Sequence, residues 1–419
     1  MRIKTILNFV QPHHGFVYGK SQWRSQGPLP IIEIEIHPRK GSKAICSGCD
    51  KPRPGYDTQP ATREWQFIPF WGILAFFVYA MRRVNCPDCG IKVERVPWAT
   101  GKNRLVTTYA WFLAAWAKRM SWKDVARSFH VSWDSVFRSV KMAVTYGLAN
   151  RDLDGITAIG IDEIAWRKGK NKFMTLVYQI DAGRRRLLWI GKDRTKATLS
   201  EFFEQFGTAR CNMLRFVCTD MWKPYLNVVA QYAQHALNIL DRFHIMKHMN
   251  EALDKVRNEE IKSLKAKGKT PVLTGSKWCL LKRPENLTEN QGIKLKELLG
   301  ANLKTIRAYL LKEDFQFFWQ YKRAAWAGKF LDAWCKRTMR SKIEPMKKIA
   351  RMLRSHRELI LNWFHAKEQI ALGAVEGLNN KAKTTSKKAY GFKNYDIAEM
   401  ALYHTLGDLP EPSFTHRFF

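Results

Sequence analysis

Apolar positions along the chain recur at two different periods, and the switches between those periods divide it into four regions. In the first, up to about Ala99, Ile31 to Ile36 (IIEIEI) alternates apolar and acidic residues, and Ile73 to Tyr79 is dense in β-formers. Both read as strands, because alternation puts every second side chain on one face of a sheet. From about Thr107 to Leu148 the spacing becomes helical, with short breaks. Between about residues 155 and 250 the two patterns alternate. Ile156–Ile161, Phe173–Ile180, Arg186–Ile190 and Leu214–Thr219 are the predicted strands, Leu237–Leu240 offers a fifth, and Leu199–Phe206 and Tyr225–His235 are the predicted helices. Three strands, a helix, a strand, a helix and a further strand imply a mixed α/β sheet. From about Met246 onward the pattern is helical and basic, interrupted by loop-like stretches at Lys267 to Lys277 and Pro284 to Gly292.

Composition adds a partner to this picture. The 419 residues, 46% hydrophobic and 13% aromatic, suffice for several domains with packed cores. Lys plus Arg number 71 against 37 Asp plus Glu, a net charge of +34. Such an excess repels itself on compaction and calls for a polyanion. The basic residues are spread along the chain rather than gathered in a tail or an amphipathic stretch, which favours nucleic acid over a membrane surface. The start of the chain leads into no apolar signal-like segment. The longest apolar run, Phe67 to Ala80, is too short to cross a bilayer and contains Pro69. A reducing cytoplasm is the expected location, with no membrane partner.

In that compartment paired cysteines favour metal over disulfides. Cys46 and Cys49, then Cys86 and Cys89, form two C-x-x-C turns, each placing two thiolates toward one ion. Two such turns close a tetrahedral site with no open position, which points to structural Zn²⁺; free thiols or redox pairs are the alternative. The interval between the pairs is long, and Arg63 to Val84 is expected to fill it as a hairpin. Replacing Cys86 by Ser is expected to unfold the first hundred residues. Cys211, Cys218, Cys279 and Cys335 read as buried thiols.

Ser121 to Arg138 has the spacing of a helix-turn-helix. Ser121 is a capping candidate with Asp124 three residues on, Val125, Ala126 and Phe129 form an apolar face, and Ser132 can cap a second helix that buries Val136, Phe137 and Val140. Trp133, Asp134, Ser135 and Arg138 are then left facing outward, where a recognition helix meets the major groove. Two ordinary packed helices would give the same apolar pattern.

Two acidic residues stand in telling places. Asp162 ends the apolar run Ile156 to Asp162 and is followed by Glu163, and Asp220 ends Phe216 to Asp220. Each alone can be a cap or turn residue. Together, strand-terminal carboxylates on one sheet can face a common hard cation, as metal-assisted phosphodiester chemistry requires. A third carboxylate must come from the helical region, where Glu376 is the best candidate, followed by Asn379, Asn380, Lys381 and Lys383, which suit DNA phosphates.

These residues together resemble the ISL3 family of bacterial insertion-sequence transposases. The resemblance rests on Gly160-Ile-Asp162-Glu163, on Asp220-Met-Trp, on Leu240-Asp241-Arg-Phe-His244, and on the block from Ile343 through Gly373-Ala-Val-Glu376-Gly-Leu-Asn-Asn-Lys381 to Asn394. It also rests on the paired cysteines followed by the helix-turn-helix. The resemblance implies a multidomain α+β protein: a β-rich zinc-ribbon (1–100), a helix-turn-helix (101–150), and a ribonuclease H-like mixed α/β core (151–249 and 346–419) interrupted by an α-helical insertion (250–345). It implies a DDE triad of Asp162, Asp220 and Glu376 using Mg²⁺ or Mn²⁺. Asp241 and His244 would support the site, although His244 can also be a plain buried polar residue. Trp133, Ser135, Arg138, Lys381 and Lys383 would meet DNA. The implied partners are double-stranded DNA, as terminal inverted repeats and as target, and further copies of the chain in a homodimer or larger synaptic complex in a bacterial cytoplasm, at the nucleoid. Two readings compete with a working transposase: a catalytically silent DNA-binding regulator, and a structure-selective nuclease of the same superfamily.

Overall fold

The computed structural model describes residues 2–24, 29–167, 173–270, 272–366, 369–370, 373–389, 391–392 and 394–418. The chain divides into two compact units, Met1–Asp152 with Thr385–Phe419, and Leu153–Thr384. None of the described helices is long and apolar enough to cross a membrane.

The first unit opens with helix α1 (Ile3–Val10) and strands β1 (Phe16–Arg24), β2 (Ile31–Pro38), β3 (Ala44–Ile45), β4 (Pro52–Arg53), β5 (Gly55–Phe70), β6 (Ile73–Cys86) and β7 (Gly90–Val93). The main sheet has the order β1-β2-β6-β5, with β7 on β6, while β3 and β4 form a short ribbon. Alternation does in β2 what it implies: Ile32, Ile34 and Ile36 are buried and the residues between them are not. β5 and β6 are the hairpin expected between the cysteine pairs, turning at Trp71 and Gly72 with φ of 48° and 84°. Gly72 takes that left-handed conformation without strain, whereas Trp71 does not. The sheet carries an aromatic core in which Trp98 meets Trp65 and Tyr79 edge-on, both at 5.5 Å between ring centres, and Phe67 stacks on Phe77 at 4.8 Å. The buried Glu94 carboxylate is satisfied by Tyr79, by the Arg82 amide at 2.8 Å, and by the Arg82 guanidinium at 2.7 Å.

Three helices follow, α2 (Thr107–Arg119), α3 (Trp122–Ser128) and α4 (Trp133–Asn150). The caps are those the sequence suggests: Ser121 accepts from the Asp124 amide and Ser132 from the Ser135 amide, both at 3.1 Å. Val125, Val136 and Val140 are buried between them.

The second unit is built on β8 (Ala158–Ala165), β9 (Phe173–Asp181), β10 (Arg184–Lys192), α5 (Lys196–Phe206), α6 (Thr208–Met213), β11 (Phe216–Thr219), α7 (Lys223–Tyr232) and β12 (Leu237–Leu240). The strand order is β10-β9-β8-β11-β12, antiparallel in the first three and parallel in the last three. The sequence-based expectation that Asp162 ends its strand is corrected here. β8 runs on to Ala165 because Glu163, Ile164 and Ala165 stay paired with Thr175, Met174 and Phe173 of β9. Leu199, Phe202, Phe203 and Phe206 of α5 and Tyr225, Val228 and Val229 of α7 cover one face of the sheet over Ile159, Ile161 and Val217.

A helical run comes next: α8 (Arg242–Ala266), α9 (Lys277–Leu281), α10 (Glu289–Leu299), α11 (Lys304–Gln316), α12 (Ala324–Arg340), α13 (Glu344–Ser355), α14 (Arg357–Ala366) and α15 (Ala374–Lys388). Helix α8 is continuous through residue 250. Its Glu260 accepts from the Lys304 and Thr305 amides and so ties down the start of α11. α14 lies along β12, with the Asn362 side chain donating to the Asn238 carbonyl at 2.7 Å. The chain returns to the first unit with α16 (Tyr395–Leu406), which packs on α4.

Candidate active site and metal centre

Strand register brings three aspartates into one row. Phe216 lies opposite Ala158 and Cys218 opposite Gly160, so the same offset carried two residues on sets Asp220 level with Asp162. Thr219 lies opposite Leu240, so the next step sets Asp220 level with Asp241. The parallel strands β8, β11 and β12 thus offer one carboxylate each at neighbouring positions, as the ends of parallel strands do in open α/β sheets.

Asp162 is largely buried. One of its oxygens accepts from the Glu163 amide at 2.7 Å and faces His244 Nε2 at 3.8 Å; the other accepts from the Asn379 side-chain amide. Asp220 accepts from the Trp222 amide at 3.0 Å and from Arg194 Nη2 at 3.2 Å. Asp241 caps α8 by accepting from the Phe243 amide at 2.8 Å, and its second oxygen meets His244 Nδ1 at 3.2 Å. Arg194 brings its Nε within 2.6 Å of Glu163 and lies 4.4 Å over the Trp222 ring.

The charges do not balance. Burial pushes the Asp162 carboxyl up, His244 and the Glu163 amide pull it down, and Asp241 and Asp220 push it up again. Glu163 is driven to about 7, by burial first, with Arg194 opposing and Asp220 and Asp162 adding to the rise. The hydrogen bond to Asp241 raises the His244 imidazole against the effect of burial. Glu163 Oε1 is buried yet makes no aligned hydrogen bond; its contact with Arg194 is one of charge rather than of geometry. Carboxylate oxygens in excess of the neighbouring cations are the donor type that a hard divalent cation takes.

Glu376 sits differently. Helix α15 docks on β8 at two points: Asn379 bonds Asp162, and Val375 lies where a side chain on Gly160 would meet it at 2.3 Å. Gly160 is required for that approach. Glu376, between these contacts in sequence, is exposed and lines a cavity of about 390 Å³ with Asp241, Arg242, Phe243, Asn250 and Trp363. Among the described residues, no three carboxylate or imidazole groups bring ligand atoms within 4.8 Å of one another. The structure therefore joins Asp162, Asp220, Asp241, Glu163 and His244, and leaves Glu376 beside them.

Asn379 does not face phosphates as the sequence suggested. It is buried, its amide donates to Asp162, and its oxygen accepts from the buried Tyr178 hydroxyl at 2.8 Å. Lys381 and Lys383 of the same helix are exposed. Arg194 and Tyr178 escaped the sequence reading, which named Asn379 for a different role. Arg194 is one of many basic residues, and the only sign of its place is a position just after a strand.

In the first unit, Cys46, Cys49, Cys86 and Cys89 bring their four sulfurs within 4.8 Å of one another, a set that can hold a metal ion. The Cys49 and Cys86 sulfurs are 3.6 Å apart, and any side chain at Gly48 would press on the Cys89 sulfur at 2.9 Å. Packed in this way, the Cys89 thiol is pushed up to about 12, by burial and then by hydrogen bonding to Cys86, Cys49 and Cys46. Four thiolates need a cation to coexist at that spacing.

On α4, Trp133 is 41% exposed and stacks on Phe137 at 5.6 Å, while Arg138 is exposed and pairs with Asp134 at 2.8 Å. Ser135 is half-buried.

Comparison with known proteins gives the class first: the family model that matches, over residues 159–401, describes a transposase. The match covers more than half of the chain and spans Asp162, Asp220 and Glu376, and the chain belongs to the ISL3 transposase family. It is 28% identical over 386 residues to the transposase for insertion sequence element IS1001 of Bordetella parapertussis, covering 91% of this chain and 93% of that protein. It is also 28% identical over 392 residues to the transposase for insertion sequence element IS1557 of Mycobacterium tuberculosis, covering 87% and 86%.

Proposed function

We propose that this chain is the DNA transposase of an insertion sequence, one that binds terminal inverted repeats, cuts DNA at the element's ends and joins the freed strand to target DNA. The observation that carries the reading is the row of Asp162, Asp220 and Asp241 on adjacent parallel strands, with the helix bearing Glu376 tethered to the first of them through Asn379. Family membership and the two relatives' names support the reaction class. The strand order supports a ribonuclease H-like core, and the helical stretch over about 250–345 would be its insertion.

In this reading Asp162, Asp220 and Glu376 are the DDE triad and would hold Mg²⁺ or Mn²⁺. Bound there, such ions supply activation of the attacking hydroxyl and stabilisation of the developing phosphate charge. The protein's own residues set the stage. Asp241 orients the His244 imidazole, which turns Nε2 toward Asp162 and favours its ionised form. Arg194 neutralises Glu163 and Asp220 before a cation arrives. Burial of Asp162 and Glu163 keeps water from screening these charges. The four cysteines would hold Zn²⁺, the soft-ligand choice, as a structural ion. α4 is the recognition helix, with Trp133, Ser135 and Arg138 toward the major groove and Lys381 and Lys383 on phosphates. Two ends meet in a homodimer or larger synaptic complex.

Cleavage of a labelled duplex carrying the element's end, in Mg²⁺ or Mn²⁺, tests the reading. Asp162→Asn, Asp220→Asn and Glu376→Gln are each expected to lower cleavage by about 100-fold or more while end binding persists. A fully active Glu376→Gln would hand the third position to Glu163 or Asp241.

A further inference from the structure

The first unit contains a second basic feature that the helix-turn-helix reading does not use. Between the edge of the main sheet at β5 and the turn joining α3 to α4 lies an open groove of about 710 Å³. Arg63, Lys102, Arg104, His130, Ser132 and Ser135 are among the residues lining it. The basic loop on its wall is held rigidly: the Gln66 amide donates to the Arg104 carbonyl at 2.8 Å and the Val106 amide to the Gln66 carbonyl at 2.9 Å, which adds the loop to β5. Arg63 braces the same loop from below, donating to the Gly101 and Asn103 carbonyls at 3.1 Å while stacking on Trp65 at 4.9 Å.

These cations lack acidic partners. Among the described residues neither Arg63, Lys102 nor Arg104 makes an ion pair, and Glu64, also on the wall, is taken by Arg24. Arg63 is held below its ordinary value by burial first and then by the charge of Arg104. The first turn of α4, capped by Ser132, ends at the groove and adds the positive end of an 18-residue helix. Cations fixed on rigid backbone, beside the start of a helix whose outward residues can read bases, describe a seat for the sugar-phosphate strand that borders the major groove.

We propose that this groove is a phosphate clamp for the DNA backbone, with Lys102 and Arg104 as direct contacts and Arg63 as the residue that positions their loop. The proposal rests on the reading of α4 as the recognition helix. It makes sheet and helix-turn-helix one composite DNA-binding surface, the clamp setting where along the duplex the helix enters. An acidic protein segment could use the same cations, but the net charge of +34 and membership in a transposase family favour DNA.

The test uses the full zinc-loaded chain and two duplexes of equal length, one carrying the element's end and one unrelated, titrated between about 50 and 200 mM salt. Lys102→Ala/Arg104→Ala changes two exposed side chains and is expected to weaken binding to both duplexes alike, by about tenfold or more at the higher salt. Each lost phosphate contact is also expected to make the dependence of log K on log salt shallower by about 0.9. Lys102→Arg/Arg104→Lys should restore both. Unchanged affinity and slope would overturn the clamp, as would a loss confined to the element's end. Trp133→Ala separates the underlying reading: it should narrow the preference for the element's end with the slope kept. If that preference is unmoved while the double variant behaves as expected, the recognition-helix reading fails: the groove keeps its phosphate contacts, and the composite surface with α4 is overturned.

Discussion

Beside the packing of Val375 on Gly160, one side-chain amide ties the helix that carries Glu376 to the strand that carries Asp162. Asn379 spends its donor on Asp162 and its acceptor on Tyr178, so neither buried neighbour is left unsatisfied. Asn379→Ala would strand both groups, at a cost of about 1–3 kcal/mol, and loosen α15 from β8. We expect DNA cleavage to fall while DNA binding holds, and Tyr178→Phe, which spares the bond to Asp162, to do less. An Asn379→Ala chain as stable to denaturant and as active as the parent would remove the residue from this role. Legibility at this scale is uneven. Asp162 and Asp220 stand out in the sequence because a carboxylate at the end of an apolar run is conspicuous. Asn379 and Arg194 do not, since an Asn on a basic helix and an Arg after a strand look like surface until the fold supplies their partners.

Among the elements, the paired cysteines hold less of the fold than their spacing suggests. Their own cluster is small, with Ala44 and Val84 as its other buried members among the described residues. The main sheet has a separate aromatic core around Trp65, Phe77, Tyr79 and Trp98. The expectation that Cys86→Ser unfolds the first hundred residues therefore narrows. Chelation of the metal that the four cysteines would hold, or Cys86→Ser, should expose the amides of β3, β4, β7 and the adjoining end of β6 to hydrogen exchange, while β2 and the middle of β5 keep their protection. Exchange rising uniformly through Ile31–Ile36 and Trp65–Phe70 would restore the broader expectation. The sequence reveals the cysteine pairs because a C-x-x-C turn is a local pattern, but not the independent core, which needs Trp98 to fold back onto strands earlier in the chain.

At the scale of the whole molecule, acid should act on the first unit through two histidines. His13, packed among Tyr18, Phe77 and Trp98 with its Nε2 unpartnered, is lowered by burial to about 4. His404 is lowered to about 3, by burial first and then by Lys118 and Lys388. Both stay neutral in the fold and take a proton on unfolding, so the unfolded chain binds more protons below about 6.5 and stability falls as pH drops from there, toward about 4 for His13 and about 3 for His404. Tm should decline over that window, and His404→Gln should flatten the decline by about 5 °C or more at its acid end. A profile equally steep in that variant would show that His404 carries none of it.

What the sequence determined by itself is local or periodic: the five strands of the second unit and the two longer helices among them (though not the short α6), the two helix caps at Ser121 and Ser132, the cysteine pairs, and the basic character that points to DNA. These are set by propensity, side-chain period and near neighbours in the chain, all readable over a few residues. Only the tertiary structure decided that Asp162, Asp220 and Asp241 stand in one row, that Glu376 lines a cavity with the last of them, and that Arg63, Lys102 and Arg104 meet the helix-turn-helix across a groove. Those juxtapositions depend on strand register and on helices packing across long sequence separations, where a shift of one residue would move every side chain to another face.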